Sequence, residues 1–439
     1  MKQKIKSILK YPFIFIIVII IFILTLLLSS LFPRDWIQEN TYESAEILEE
    51  EGNPFEIIGI RLDNYTDALM INTAYSINPS EPFESIMLDR KNYLPDKNQI
   101  IYSDKNLELA CSKEADNDIM KELMKTVNND IGESFEYARY WHGYLVFLRP
   151  ALIFFNISEI KVINCILLAL LAFYLIMNLS KRINSRSCWV IILGLVIFDY
   201  FLMGLTFQGL MTFFISMIFS IIICKRFEKI KNIGIYFFVA GMITCFLDLL
   251  THPIITLGLP MIIYFLLKQE KEKVTLKEAI KIIVINSILW GIGYLLTYIT
   301  KWVLVDAIYN RNLVTKAITQ FFYRSQEDII STMTWSRALQ KNFDNLGIKN
   351  LIYFIPLIIY IIIELVRNYK TIRFDIKAAL PYLIISIMPI AWIILMKNHS
   401  IYHDYFTYRG LIIFYIGIGI FCIKLLNIKQ KDEVTNTII

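Results

Sequence analysis

Asp67 sits in the stretch Arg61-Leu62-Asp63-Asn64-Tyr65-Thr66-Asp67-Ala68-Leu69-Met70. A β-like run from Phe55 to Ile60 precedes it, and a short helix from Ala68 to Tyr75 is expected after it. Thr66 or Asp67 is then placed as the N-cap, whose oxygen takes a free N–H of the first turn. The same carboxylate is suited to work as a general base or a metal ligand. Asp63 is the second candidate for that role.

A second concentration of chemistry is Lys397-Asn398-His399-Ser400-Ile401-Tyr402-His403-Asp404-Tyr405-Phe406-Thr407-Tyr408-Arg409. An arginine such as Arg409 grips a phosphate with two parallel hydrogen bonds, and tyrosines beside it suit a sugar face or a headgroup boundary. An aromatic belt with a snorkelling arginine would use the same residue types. His399 and His403 have i, i+4 spacing, but the segment reads as a loop, which speaks against a zinc pair there. In Asp248-Leu249-Leu250-Thr251-His252-Pro253, Asp248 and His252 form either a local pair or part of a cavity lining. Pro253 is expected at the first helical position. His142 and Arg149 complete the candidates for binding substrate or a lipid phosphate. With Asp199, these ionisable groups fall at one side of the spans described next, where such groups are functional candidates by default.

The elements that must position these residues are transmembrane helices. The chain has 439 residues, 56% of them hydrophobic, above the usual share for a soluble domain. The excess falls in blocks long enough to cross a hydrocarbon core about 30 Å thick. About ten spans are expected: residues 13–32, 160–179, 188–203, 208–224, 232–250, 253–268, 277–300, 349–366, 377–396 and 410–427. The first block follows Lys2, Lys4, Lys6 and Lys10. It is too long for a signal-peptide core and lacks a small-x-small cleavage site, so it reads as a retained span.

The fold class expected is an all-α polytopic membrane protein with both termini cytoplasmic. Every cytoplasmic segment under that topology is basic, as the positive-inside rule requires. These segments are the N-terminal arm, 181–186, 225–231, 268–281, 367–377 and the tail with Lys424, Lys429 and Lys431. The organisation is a cytoplasmic arm and first span (1–32), an extracytoplasmic segment with interfacial helices, α or α/β (33–157), spans 2–7 (158–300), an extracytoplasmic loop (301–348) and spans 8–10 with the tail (349–439). Cys111 is the one cysteine in the large loop, and no cysteine pair has metal-ligand spacing. Nothing in the pattern points to nucleic acid, and no internal repeat or nucleotide-binding glycine loop is present.

The layout resembles the GT-C superfamily of polytopic glycosyltransferases. The likeness is one of plan. A first span is followed by a long outer segment with an early acidic residue, then by an aromatic stretch from Tyr137 to Pro150, then by spans with tight outer turns. The resemblance implies a catalytic acid in the first outer segment, matched best by Asp67 and next by Asp63. Where the family often shows two adjacent acids, this chain has Asp67-Ala68. The resemblance further implies a polyprenyl-phosphate-linked sugar as donor, membrane lipid around it, and an extracytoplasmic glycan, lipid or protein as acceptor. It leaves a divalent metal ion open. Arg409 is placed to meet the lipid phosphate. In such a protein Asp67 should stand near His403 and Arg409 over a membrane-open cavity, and not face bulk water.

Two other classes fit parts of the pattern. A polysaccharide polymerase or ligase of the O-antigen type would use Arg311, Arg324 and Arg337 of the 301–348 loop. A transporter or flippase would need charges near the bilayer midplane, and most charges here lie at span ends. Heavy use of Ile and Lys with sparse Ala and Gly points to an AT-rich genome, hence to a bacterial plasma membrane.

Overall fold

The computed structural model describes residues 2–57, 60–93, 113–129, 133–325, 333–347, 349–368 and 374–426. Cys111, Lys429 and Lys431 lie outside the described residues.

The chain starts with helix α1 (Lys2–Ser30). The 33–157 segment then folds as α2 (Gln38–Glu51), a ribbon of β1 (Phe55–Ile57) and β2 (Ile60–Leu62), α3 (Asn64–Ser76), α4 (Pro82–Leu88), β3 (Arg90–Tyr93), α5 (Lys113–Val127), β4 (Glu133–Glu136) and α6 (Leu145–Leu152). Both pairings, β1 with β2 and β3 with β4, are antiparallel. After them the described chain is helical: α7 (Ile157–Leu179), α8 (Ser185–Ile197), α9 (Leu210–Arg226), α10 (Ile233–Leu247), α11 (Ile255–Lys271), α12 (Leu276–Tyr309), α13 (Leu313–Ser325), α14 (Trp335–Asp344), α15 (Lys349–Asn368), α16 (Ile376–Leu395), α17 (Lys397–Tyr402), α18 (Asp404–Thr407) and α19 (Ile412–Leu425).

Among the described residues, 6 helical stretches are long and apolar enough to cross a membrane: Leu9–Ser30, Ile157–Leu179, Leu210–Lys229, Leu276–Tyr309, Ile376–Leu395 and Asp404–Leu425. Their outward faces are apolar. Phe13 on α1 and Phe173 on α7 are each 65% exposed, and Ile288 and Leu295 on α12 also point out of the bundle. Water would oppose so much exposed hydrocarbon, whereas lipid accepts it, and helices satisfy their own backbone groups there. The chain is an all-α membrane-embedded protein. α12 is roughly 50 Å long at 1.5 Å per residue, longer than a hydrocarbon core is thick.

Small residues let the helices close. A methyl group on Gly241 of α10 would stand 2.1 Å from the Trp290 carbonyl oxygen of α12, and one on Gly293 of α12 would stand 2.2 Å from the Phe238 carbonyl oxygen of α10. The two backbones therefore touch through reciprocal glycines, as close helix crossings in membranes do. Trp290 Nε1 and Thr244 Oγ1 both donate to Thr256 Oγ1, at 3.0 and 2.8 Å, and bring α11 into the same core.

The 33–157 segment is stitched to this bundle by buried polar contacts. Lys301 Nζ meets Asp89 Oδ2 at 2.9 Å and the Ile86 carbonyl at 2.5 Å. Trp141 Nε1 donates to the Thr297 carbonyl at 2.8 Å, and Trp302 Nε1 to the Arg139 carbonyl at 2.9 Å. Arg149 is fully buried. It donates from Nε to Ser29 O at 2.9 Å, from Nη2 to Phe32 O at 2.6 Å, and from Nη1 to Ala74 O. Those carbonyls sit at the ends of α1 and α3, where the last helical carbonyls have no partner within the helix. Arg149, one of the candidates for binding substrate or a lipid phosphate, is thus a clasp between the first helix and α3.

Candidate functional site

The β1–β2 ribbon delivers the chain into α3, with Phe55 paired to Leu62. Asp63 then caps the helix. Its Oδ1 accepts from Thr66 N at 3.2 Å and its Oδ2 from Thr66 Oγ1 at 2.6 Å. The sequence placed the cap at Thr66 or Asp67 and the helix from Ala68. The helix instead begins at Asn64, because the Asp63 carboxylate can reach both groups of Thr66. Asp63 Oδ2 also accepts from the Tyr405 hydroxyl at 3.2 Å. The Arg61 guanidinium lies 4.5 Å from the centre of the Tyr405 ring, and Arg409 Nη1 donates to the Tyr405 carbonyl at 3.0 Å. The acidic stretch and the turn before the last span therefore meet.

Asp67, one helical turn beyond the cap, faces the helices and has no exposed surface. Its Oδ1 accepts from Phe207 N at 2.8 Å and Thr206 Oγ1 at 3.3 Å. Its Oδ2 lies 3.6 Å from Lys161 Nζ and, among the described residues, accepts no hydrogen bond. Lys161 comes from α7 and also meets Glu51 Oε2 at 3.3 Å and Asn64 Oδ1 at 3.2 Å. Burial raises the Asp67 carboxyl to about 6, with Lys161 and the Phe207 N–H pulling the other way. Burial raises Asp63 as well, opposed by Thr66, Tyr405 and Arg61. Asp67 is therefore mostly ionised near neutral pH and close enough to its midpoint to take up a proton.

His252 packs against the same loop, at Gly209. Gly209 has φ +76°, and a methyl group there would stand 2.3 Å from His252 Cε1, so only glycine suits both the backbone and the neighbour. His252 is buried and, among the described residues, neither of its ring nitrogens has a hydrogen-bond partner. Its Cβ packs against Gly410, beside Arg409. The Arg409 Nε is likewise buried and unbonded among the described residues. The Tyr408 hydroxyl donates to Asp199 Oδ2 at 3.1 Å. A buried polar atom left unpaired costs about 1–3 kcal/mol, so Asp67 Oδ2, the His252 ring and Arg409 Nε are each suited to meet water or a polar ligand.

Other candidates have different occupations. Asp248, expected either to pair with His252 or to line a cavity, accepts from Thr251 N and Thr251 Oγ1, the latter at 2.5 Å, and shapes its own turn. Residues 397–407 were read as a loop and form the short helices α17 and α18. Pro253 lies ahead of α11, which starts at Ile255. His399 Nε2 bonds the Leu250 carbonyl at 2.7 Å, so Nδ1 is left to accept from Arg324 Nη1 at 2.9 Å. The His403 ring lies 4.7 Å from that of His399 and stacks on Phe406. Asp404 accepts from Asn345 Nδ2 at 2.9 Å and lies 3.9 Å from Lys341 Nζ. His142 bonds the Tyr144 hydroxyl at 3.0 Å and the Tyr137 carbonyl at 2.9 Å. Of the predicted residues, Asp63, Asp67, Arg409 and His252 gather around the Phe207 loop, His399 and His403 stand beside them, and His142, Arg149, Asp248 and Asp404 serve local structure.

Sequence reasoning missed Lys161. The available signal was a lysine near the start of the mostly apolar helix Ile157–Leu179. It also missed the Phe207 N–H, a backbone donor with no mark in the residue type. A divalent ion does not fit here. Among the described residues no three His, Cys, Asp or Glu side chains converge on one point. Asp63 is held by Thr66 and Tyr405, and an ammonium already faces the free Asp67 oxygen. An open groove of about 550 Å³ along α2, lined by Asp35, Glu39, Glu43 and Glu46 among others, shares no residue with this cluster.

No protein-family model, curated protein or solved structure matches this chain.

Proposed function

We propose that the chain is a polytopic membrane glycosyltransferase of GT-C-like plan. It moves a sugar from a polyprenyl-phosphate donor to an extracytoplasmic acceptor, which is a cell-surface glycan, a lipid or a protein. The proposed topology has about ten spans, both termini in the cytoplasm, and the 33–157 segment on the outer side of a bacterial plasma membrane. The observation that carries the proposal is Asp67: a buried carboxylate turned toward the spans, with one oxygen fixed by Phe207 and Thr206 and the other free of hydrogen bonds among the described residues.

The chemistry is an inverting displacement. Asp67 Oδ2 takes the proton of an acceptor hydroxyl. The hydroxyl oxygen bonds to the anomeric carbon, and the bond from that carbon to the phosphate oxygen breaks. The lipid phosphate leaves with the electron pair, and its charge is met by Arg409. Arg409 has Nε available, and its Nη1 contact to Tyr405 ties it to Asp63. The test is transfer of sugar to surface glycan by Asp67→Asn and Arg409→Ala variants expressed at wild-type level. Loss in both is expected; full activity in both would remove these residues from the site.

A second reading is a polymerase or ligase of the O-antigen type. Arg324 favours it, because this arginine of α13 reaches back to His399 at the edge of the cluster. Such an enzyme would lengthen glycan chains instead of adding single sugars, so product length separates the two.

A further inference from the structure

We infer that Lys161 takes the place a divalent cation would hold at the Asp67 carboxylate, so that this site works with a built-in ammonium in place of a metal. The inference rests on the proposed function only for its catalytic consequence; the local geometry stands by itself.

The ammonium has a cation's surroundings. Lys161 Nζ is met by Glu51 Oε2 at 3.3 Å, Asn64 Oδ1 at 3.2 Å and Asp67 Oδ2 at 3.6 Å. The residue is 5% exposed, near the start of a helix long and apolar enough to cross a membrane. Three oxygens from two helices, α2 and α3, thus converge on one positive charge supplied by a third, α7. These are ligand types that a hard divalent ion takes. Asn64 is oriented for it: its Nδ2 donates to Glu51 Oε2 at 2.9 Å and to the Gly52 carbonyl at 3.0 Å, which turns Oδ1 toward the lysine. A metal and the ammonium cannot occupy the same place.

The ammonium also holds Asp67 in position without taking its lone pair. At 3.6 Å it lies beyond hydrogen-bond reach of Oδ2, so its field favours the carboxylate while the oxygen stays open to an incoming proton. Among the described residues the charged groups facing Asp67 are Asp63, the cap of α3, and Lys161 from α7, with Glu51 of α2 behind the lysine. The Thr206–Phe207 backbone brings no charge. Lys161 is in these terms a positioning residue, one that acts through Asp67.

The experiment uses the purified full chain in detergent and Mn²⁺ as probe, with free Mn²⁺ followed by electron paramagnetic resonance. The wild type is expected to show no saturable micromolar Mn²⁺ site that depends on Asp67. A site that disappears in Asp67→Asn would overturn the inference. The second measurement is infrared titration of the carboxyl band assigned by Asp67→Asn. In Lys161→Met its midpoint is expected to move up by about one pH unit or more, and Lys161→Arg is expected to restore it. An unchanged midpoint in a Lys161→Met protein that elutes and melts as folded overturns the inference. If Lys161→Met does not fold, the Mn²⁺ result on the wild type decides. None of these readouts requires sugar transfer, so the metal question and the glycosyltransferase question can fail separately.

Discussion

Among the described residues, two buried lysine–carboxylate contacts join the 33–157 segment to the helices, and they are built differently. At Asp89 and Lys301 the contact is closed. The ions meet at 2.9 Å, the lysine also holds the Ile86 carbonyl at 2.5 Å, and its ammonium lies 5.5 Å from the centre of the Trp141 ring. At Asp67 and Lys161 the contact is open. The ions stand 3.6 Å apart, and the near carboxylate oxygen accepts no hydrogen bond among the described residues. Burial raises both carboxyls, Asp67 to about 6 and Asp89 to about 7. Burial and a raised carboxyl therefore do not separate a clasp from a reactive group. Nor does spare bonding capacity alone, since Asp89 Oδ1 also accepts no hydrogen bond among the described residues; the length of the contact to the lysine and the surroundings do. The loop that bonds Asp67 through Phe207 also packs at Gly209 on His252, whose ring nitrogens are unbonded among the described residues, whereas the ammonium that meets Asp89 lies against the Trp141 indole.

The largest expected effect of breaking this contrast is on transfer itself. Asp67→Asn keeps the size and the Phe207 contact but removes the base, and should slow transfer by about 10²- to 10⁴-fold while melting near the wild type. Sugar transfer with a lipid-linked donor, read beside a thermal melt in detergent, checks both halves. Next is Lys301→Met. It leaves Asp89 buried without its counter-ion and should cost about 3–5 kcal/mol, seen as a lower melting temperature and poor yield. Adding Asp89→Asn should recover much of that loss, because the stranded charge is then gone. Lys161→Met should destabilise less, since the open contact is longer and Glu51 is partly exposed. The smallest effect expected is from Tyr405→Phe. It removes one donor to Asp63, worth about 1 kcal/mol, and should lower transfer several-fold without loss of fold. Equal loss of stability from Lys161→Met and Lys301→Met would erase the distinction.

Much of the architecture was legible because hydropathy is local. Long apolar runs such as 9–30 and 157–179 carry their own signal, and so do the turn residues between them. Asp63 and Asp67 were legible as candidates because a strand-like run leading into a helix places acids at a helix start. The partners of Asp67 were hidden, since Lys161 and its oxygen ligands are brought together by packing: Asn64 and Lys161 are 97 residues apart. His142 and Arg149 were read as ligands from residue type and side. The structure gives them to Tyr137, Tyr144 and helix-end carbonyls, contacts that only the packed chain defines. The helices in 397–407 were missed because pieces of 4–6 residues are too short to show a 3.6-residue period.

The most direct test of Asp67 as the base is the rate of sugar transfer by the purified full chain against pH, for the wild type and Asp67→Asn. The reacting form is the carboxylate, and burial has raised its midpoint to about 6. The wild-type rate should therefore fall about tenfold per unit below pH 6 and level off above it. Asp67→Asn should be slower at every pH and should lack that limb. A variant that transfers at the wild-type rate, with the same rise through pH 6, would contradict the assignment of Asp67.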